Sequence, residues 1–255
     1  MRDMEGKVAI VTGSATGVGS ATARMLAGRG CNVVVNYTKS EEEARDNIAA
    51  CEACGVETIL CQADVSNDAD CCRMVDAAVT KWGRIDALVN NAGTTKFCAI
   101  VDLNGLDKED FLRIYSVNVV GPFQMARAVA PHMKKVGQGA IVNVASLAAM
   151  DGRGSSIAYA ASKGALVTMT LSLAHALCPE IRVNAVCPGF IQGRWLKQGL
   201  GEPLYDAAKA HMEQSSLLRV TATPENVAEA VVYLVCGAEI TTGETLTVDG
   251  GMRLR

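Results

Sequence analysis

The sequence predicts a single α/β domain built as a doubly wound parallel sheet of about seven strands, with helices on both faces. Three observations point to it. Short apolar runs alternate with helix-length segments along all 255 residues. Some of those runs are apolar without interruption, as strands buried on both faces require. No linker, low-complexity tract or internal repeat divides the chain, so residues 1–255 form one unit.

The elements follow in order. Residues 7–12 are a β-branched strand, 17–30 a helix ending in glycine, and 31–36 an apolar strand. Residues 40–54 read as a helix with Ser40 as N-cap, Glu43 completing a capping box, and Gly55 as the stop. The same unit repeats: strand 56–61, helix 67–82 with Gly83 behind it, strand 85–89. Residues 107–135 read as one long helix in which Pro122 and Pro131 are placed to bend or break it. Strand 140–144, helix 156–177 and strand 181–186 come next. Helix 224–235 has proline in its first turn, and strand 245–248 closes the sheet. Residues 190–217 are the least regular stretch; following a late strand, they are expected to form a substrate-covering lobe.

Composition narrows the function. Apolar residues make up 49% and charged residues 20%, enough for a large core. The net charge of -3 and the lack of a basic run argue against a nucleic-acid partner. The first apolar run is too short for a leader or a membrane span, so a cytoplasmic protein with no membrane partner is expected. Ten cysteines without a leader fit small packing residues better than a disulfide framework. Cys51 and Cys54 have a zinc-like spacing but no second pair, and no metal is expected.

The turn Thr12-Gly13-Ser14-Ala15-Thr16-Gly17-Val18-Gly19 lies between the first strand and the first helix. Glycines there allow a sharp turn and close approach of a pyrophosphate, and the helix N-terminus offers unpaired N–H groups. The ordinary alternative is a simple glycine turn. Farther on, Tyr159 and Lys163 stand one helical turn apart on one face. A free tyrosine titrates near 10, and a neighbouring ammonium lowers that value, which would suit Tyr159 to proton exchange with a carbonyl or alcohol oxygen. Taken alone, Tyr159 could be a packed aromatic, Lys163 a solvated cation and Ser146 a cap.

Several motifs in register resemble one family. Thr-Gly-x-x-x-Gly-x-Gly at residues 12–19, Asn90-Asn91-Ala92-Gly93 after the fourth strand, and Tyr159-Ala160-Ala161-Ser162-Lys163 are similar to the signatures of the short-chain dehydrogenase/reductase family. Ser146, Pro188-Gly189 and Asp249-Gly250-Gly251 extend the likeness over essentially the whole chain. By texture it resembles the 3-oxoacyl-carrier-protein reductases and related carbonyl reductases. The resemblance implies a Rossmann-type fold and an oxidoreductase of small carbonyl or alcohol substrates. It implies catalytic roles for Asn118 (holding a relay water), Ser146 (bonding the substrate oxygen), Tyr159 (acid/base) and Lys163 (holding the nicotinamide ribose). It also implies a homotetramer joined through the two long helices.

The same resemblance places the cofactor against Gly13, Ser14, Thr16, Gly17, Val18 and Gly19. Asn91, Ala92, Gly93, Pro188, Gly189 and Ile191 would line the nicotinamide side, with Asp64 and Val65 at the adenine. Strand two ends Asn36-Tyr37-Thr38-Lys39-Ser40, where NAD-specific sites place a carboxylate. Lys39, Thr38 and Ser40 instead suit a 2′-phosphate, so NADP is favoured, with NAD possible. Thr16 stands where NADP-using relatives carry a basic residue, and Gly193 where a carboxamide-binding threonine is common. Thr94, Thr95, Leu147, Met150, Phe190 and Trp195 are candidates for the pocket wall. Ala130 and Pro179 occupy positions where carrier-protein reductases have docking arginines. The alternatives are an NAD-dependent alcohol or sugar dehydrogenase, and a non-catalytic dinucleotide-binding regulator.

Overall fold

The computed structural model describes residues 3–254; residues 1, 2 and 255 of the expected unit lie outside the described residues. Seven strands form one sheet: β1 Val8–Val11, β2 Asn32–Tyr37, β3 Thr58–Gln62, β4 Ala87–Asn90, β5 Gly139–Val144, β6 Ile181–Pro188 and β7 Thr245–Val248. Every pairing is parallel, in the order β3-β2-β1-β4-β5-β6-β7. The chain winds outward from β1 in one direction, then returns to start β4 on its other side. That reversal opens a crevice beyond the C-terminal ends of β1 and β4.

The strands are apolar because helices cover both faces. Val8–Val11 and Ala87–Asn90 are buried throughout. One face packs α1 Gly17–Ala27 and α10 Pro224–Cys236 against β1, β2 and β4; the other packs α3 Asp68–Trp82 and α5 Gly121–Val136. Six of the ten cysteines, Cys31, Cys51, Cys61, Cys71, Cys187 and Cys236, are buried as small apolar residues, all but Cys31 on strands or helices, and all ten are free thiols. Burial pushes the thiols of Cys51 and Cys71 up to about 11, which keeps them protonated and inert.

Helix ends follow local chemistry. Asn67 caps α3 through Ala69 N–H, and Gly83 ends it at φ 71°. Asp107 and Asp110 form a capping box on α4 Lys108–Tyr115. The capping box expected on α2 Glu41–Glu52 is absent: Ser40 makes no side-chain cap bond. Its hydroxyl faces Arg194 at 3.4 Å, and Glu43 pairs with the same arginine. The partner is 154 residues from Ser40, so local sequence reasoning could not have anticipated the diversion.

The expected helix 107–135 is three pieces: α4, a π-helical turn Ser116–Val120, and α5. Pro122 sits in the first turn of α5, where its missing N–H costs little, and Pro131 lies inside it. The π turn carries Asn118; such a widening redirects a side chain without ending the helix. The lobe is also more regular than expected. It holds α8 Arg194–Leu200 and α9 Glu202–Ser215, separated by Gly201. A short helix α6 Ala148–Asp151 precedes α7 Ile157–Leu177. By length and composition α7 could cross a membrane, but it packs on β6, α4 and α6 within the domain.

Candidate active site

The phosphate turn is held rigidly by its neighbours. Gly13 N–H donates to Asn36 Oδ1 at 2.9 Å, and Asn36 Nδ2 donates to the Ala63 carbonyl at 3.0 Å. Ser14 Oγ donates to the Val11 carbonyl at 2.7 Å and accepts from Asn36 N–H at 2.9 Å. Asn91 Nδ2 ties back to the carbonyls of Thr12 and Gly13 at 2.9 and 3.0 Å. Thr12 Oγ1 receives the N–H groups of Asn91 and Ala92, both at 3.0 Å. The side chains of Ser14, Asn36 and Asn91 therefore brace the turn, and their contribution to a ligand is the backbone they fix. Thr12 joins this bracing set; its hydroxyl was not distinguished from the rest of the motif by sequence.

The turn has the form a pyrophosphate needs. A Cβ on Gly13 would stand 2.9 Å from Ala92 Cα, and one on Gly19 would stand 2.5 Å from Gly13 O. Gly17, at φ +58°, faces open space. Thr16 caps α1 without a side-chain bond, so the first N–H groups of α1 are open to an anion. The residues present fit a dinucleotide. At the β2 end, Thr38 and Lys39 are exposed, whereas Tyr37 is buried, with Glu41 beside its hydroxyl. Asp64 is exposed and closes its own loop by accepting from Ser66 N–H at 2.9 Å; Val65 is buried beneath it.

The structure brings Ser146, Tyr159 and Lys163 together at the C-terminal edge of β5. Ser156 caps α7 through Tyr159 N–H at 3.2 Å, which fixes the first turn. The Ser146 side chain stands beside the Tyr159 hydroxyl and favours its ionised form. Lys163 is buried at 4% exposure, and its Nζ donates to the Val144 carbonyl at 2.8 Å. It lies 5.7 Å from the Tyr159 ring centroid.

One expectation is overturned here. A lowered tyrosine pKa was anticipated, but burial pushes the Tyr159 phenol up to about 12, with the neighbouring Ser146 side chain a smaller opposing effect. Part of the Tyr159 residue surface remains accessible, but its titrating end is enclosed. Lys163 does not counter the shift, because its ammonium is turned to a carbonyl. Burial drops Lys163 to about 8. A lysine whose folded pKa lies below its ordinary 10.5 binds fewer protons folded than unfolded between pH 8 and 10.5. Stability therefore gains from this group as pH rises through that window. We expect wild type to gain on Lys163→Met by on the order of 3 kcal/mol between pH 7.5 and 10.5, read by urea denaturation. A constant gap would show that Lys163 is not desolvated.

Asn118 is fully buried. Its Nδ2 donates to Thr94 O and Ser162 Oγ, both at 3.0 Å, and its Oδ1 accepts from Thr94 N–H at 2.8 Å. One acceptor lone pair of Oδ1 remains. The space that a Gly93 side chain would fill is bordered by Asn118 Oδ1 at 3.5 Å and Lys163 Nζ at 3.7 Å.

On the opposite wall, Pro188 accepts from Leu147 N–H at 2.8 Å, Gly189 N–H donates to Val248 O at 3.0 Å, and Ile191 bridges to Ala222. Trp195, 47% exposed, lies 6.0 Å from the Tyr159 ring and 5.7 Å from Phe97. Phe97, unnoticed in the sequence, packs so tightly on Gly199 that a Cβ there would meet its ring at 1.9 Å. Phe190 instead packs on Tyr205 at 5.6 Å, within the lobe. Thr95 Oγ1 contacts Ser155 Oγ at 2.7 Å, and Met150 is exposed. At Gly193, where a threonine was looked for, the N–H donates to the Tyr205 hydroxyl at 3.3 Å.

An anion cradle at the sheet's switch point, opening toward a buried lysine and a tyrosine that can exchange a proton, defines a dinucleotide-dependent oxidoreductase. Comparison with known proteins agrees. The family model described as enoyl-(acyl carrier protein) reductase matches residues 13–253. A Streptomyces violaceoruber protein, named as the candidate ketoacyl reductase 2 of the granaticin polyketide synthase, is 42% identical over 98% of this chain and 97% of its own. A solved structure described as a candidate short-chain dehydrogenase/reductase from Burkholderia xenovorans is 38% identical, covers 98% of both chains and superposes with a TM-score of 0.91. NAD+-bound xylitol dehydrogenase is 30% identical over 98% of this chain and 100% of its own, with a TM-score of 0.90. The chain belongs to the short-chain dehydrogenase/reductase family. It is an enzyme that binds a nicotinamide dinucleotide and transfers hydride to or from a small-molecule substrate.

Proposed function

We propose that this enzyme is an NADP(H)-dependent reductase of ketones or 3-oxoacyl groups, with Tyr159 as its acid/base. The observation that carries the reading is the grouping of Tyr159, with Ser146 beside its hydroxyl, and buried Lys163, whose Nζ lies 5.7 Å from the Tyr159 ring centroid. The nicotinamide supplies the hydride when bound. Tyr159, protonated at neutral pH, gives its hydroxyl proton to the carbonyl oxygen as the carbon takes hydride, leaving a secondary alcohol and the oxidised cofactor. Ser146 orients that oxygen by a hydrogen bond. Lys163 holds the nicotinamide ribose and returns a proton to Tyr159 through a water between its Nζ and Asn118 Oδ1, the two atoms that border Gly93. The phosphates lie on Gly13–Gly19, and the lobe 190–217 covers the substrate with Trp195 over Tyr159.

Lys39 and Thr38 are exposed at the end of β2, with Ser40 beside them, and these three receive the 2′-phosphate. A second reading, NAD-dependent oxidation of an alcohol or sugar, is favoured by Glu41, whose carboxylate meets the Tyr37 hydroxyl at the same corner. The titration that separates them follows nicotinamide fluorescence with NADPH and NADH. Tighter NADPH binding in wild type, reduced about tenfold by Lys39→Ala, supports the first. Equal or tighter NADH binding overturns it in favour of the second.

The enzyme works in the cytoplasm as a homotetramer. Ten free thiols suit a reducing compartment. Phe111, Leu112, Phe123 and Leu171 are exposed on α4, α5 and α7, the faces that subunit contact would cover.

A further inference from the structure

We propose that Arg194 selects the cofactor: it leaves Glu43 when the dinucleotide binds and takes the 2′-phosphate of NADP, drawing the lobe over the groove. The inference rests on the NADP reading and adds to it a residue from the far end of the chain.

The placement of the guanidinium carries the proposal. Arg194 stands at the start of α8, yet its Nη2 lies 3.4 Å from Ser40 Oγ and its Nη1 is paired with Glu43. It therefore occupies the corner formed by Thr38, Lys39 and Ser40. Electrostatics give it a task there. The first turn of α2 holds Glu41, Glu42 and Glu43, and Arg45 answers Glu41 at 2.6 Å. Lys39 has no ion-pair partner among the described residues, so without Arg194 a 2′-phosphate would meet one free cation beside two unanswered carboxylates. Arg194 both neutralises Glu43 in the free enzyme and can supply a planar, two-toothed donor to phosphate.

The exchange is feasible. The Arg194–Glu43 pair is half exposed, at 49% and 38%, so solvent screens it and little holds it. Gly193 at φ +145° and Gly201 at φ +76° flank α8, and a Cβ at either would meet nothing within 4 Å. Those positions give α8 room to swing.

The full-length chain is titrated with NADPH and with NADH, in wild type, Arg194→Met, Glu43→Gln and the double variant. Arg194→Met should weaken NADPH binding by on the order of tenfold and leave NADH within about twofold. Glu43→Gln, by freeing Arg194, should tighten NADPH by roughly threefold, and the double variant should show none of that gain. Equal losses for both cofactors in Arg194→Met would make it a simple latch and overturn the proposal. So would a Glu43→Gln gain that persists without Arg194. If Lys39→Ala abolishes an NADPH preference that Arg194→Met retains, the NADP reading stands and this one falls. If wild type shows no NADPH preference, both fall.

Discussion

Tyr159→Phe should lower kcat by about a thousandfold or more while leaving the Kd for the dinucleotide within about twofold. The substitution removes one hydroxyl and keeps the ring, so Trp195 at 6.0 Å retains its neighbour and the cradle at residues 13–19 is untouched. What disappears is the hydroxyl beside Ser146, the proton that the proposed reduction spends. The direction of its titration sharpens the expectation. With the phenol pushed up to about 12, Tyr159 is protonated throughout the neutral range. Reduction should therefore vary little between pH 6 and 8, whereas alcohol oxidation, which needs phenolate, should climb with pH. Stopped-flow loss of nicotinamide absorbance in both directions measures this. Undiminished reduction by the phenylalanine variant would remove Tyr159 from the chemistry and with it the proposed mechanism.

Much of this site was legible because its chemistry follows chain order. The i, i+4 spacing of Tyr159 and Lys163 placed them together once 156–177 read as a helix, and α7 spans Ile157–Leu177. The glycine turn was legible because it interrupts a strand-helix pattern where only backbone can approach a ligand. The parts that escaped depend on tertiary partners. Nothing near Lys163 in sequence announces that its ammonium turns to Val144, 19 residues earlier, so the direction of the Tyr159 shift was misjudged. Ser14 and Asn36 were assigned to cofactor, and their side chains are spent on the turn itself. The lobe read as irregular because α8 spans only seven residues between two glycines, too short for a clear period. Its Arg194 meets Glu43 across 151 residues, which no local pattern encodes.

The most damaging single change to the fold of the site should be Gly19→Ala. Alanine is the better helix former by about 1 kcal/mol, and Gly19 lies in the first turn of α1 at an ordinary helical φ. Propensity alone would therefore predict a gain. The added methyl, however, would stand 2.5 Å from Gly13 O, 2.5 Å from Asn91 Nδ2 and 2.8 Å from Ser14 Cα. Two of these belong to backbone that cannot rotate away. The third is the amide that ties β4 to Thr12 and Gly13. Accommodation requires the phosphate turn to lift from α1, which breaks those ties and misaims the N–H groups meant for phosphate. Overpacking of this kind costs about 3 kcal/mol, several times the propensity gain, and should lower Tm by roughly 8 °C. Dinucleotide affinity should fall by about two orders of magnitude, since the anion contacts depend on that backbone. Gly17→Ala provides the contrast: φ +58° strains an alanine, but its Cβ meets nothing within 4 Å, so a loss of about 1 kcal/mol is expected. Calorimetry and NADPH titration on both variants decide the matter. If Gly19→Ala melts and binds like wild type, close packing of α1 on the turn is not what shapes the cradle.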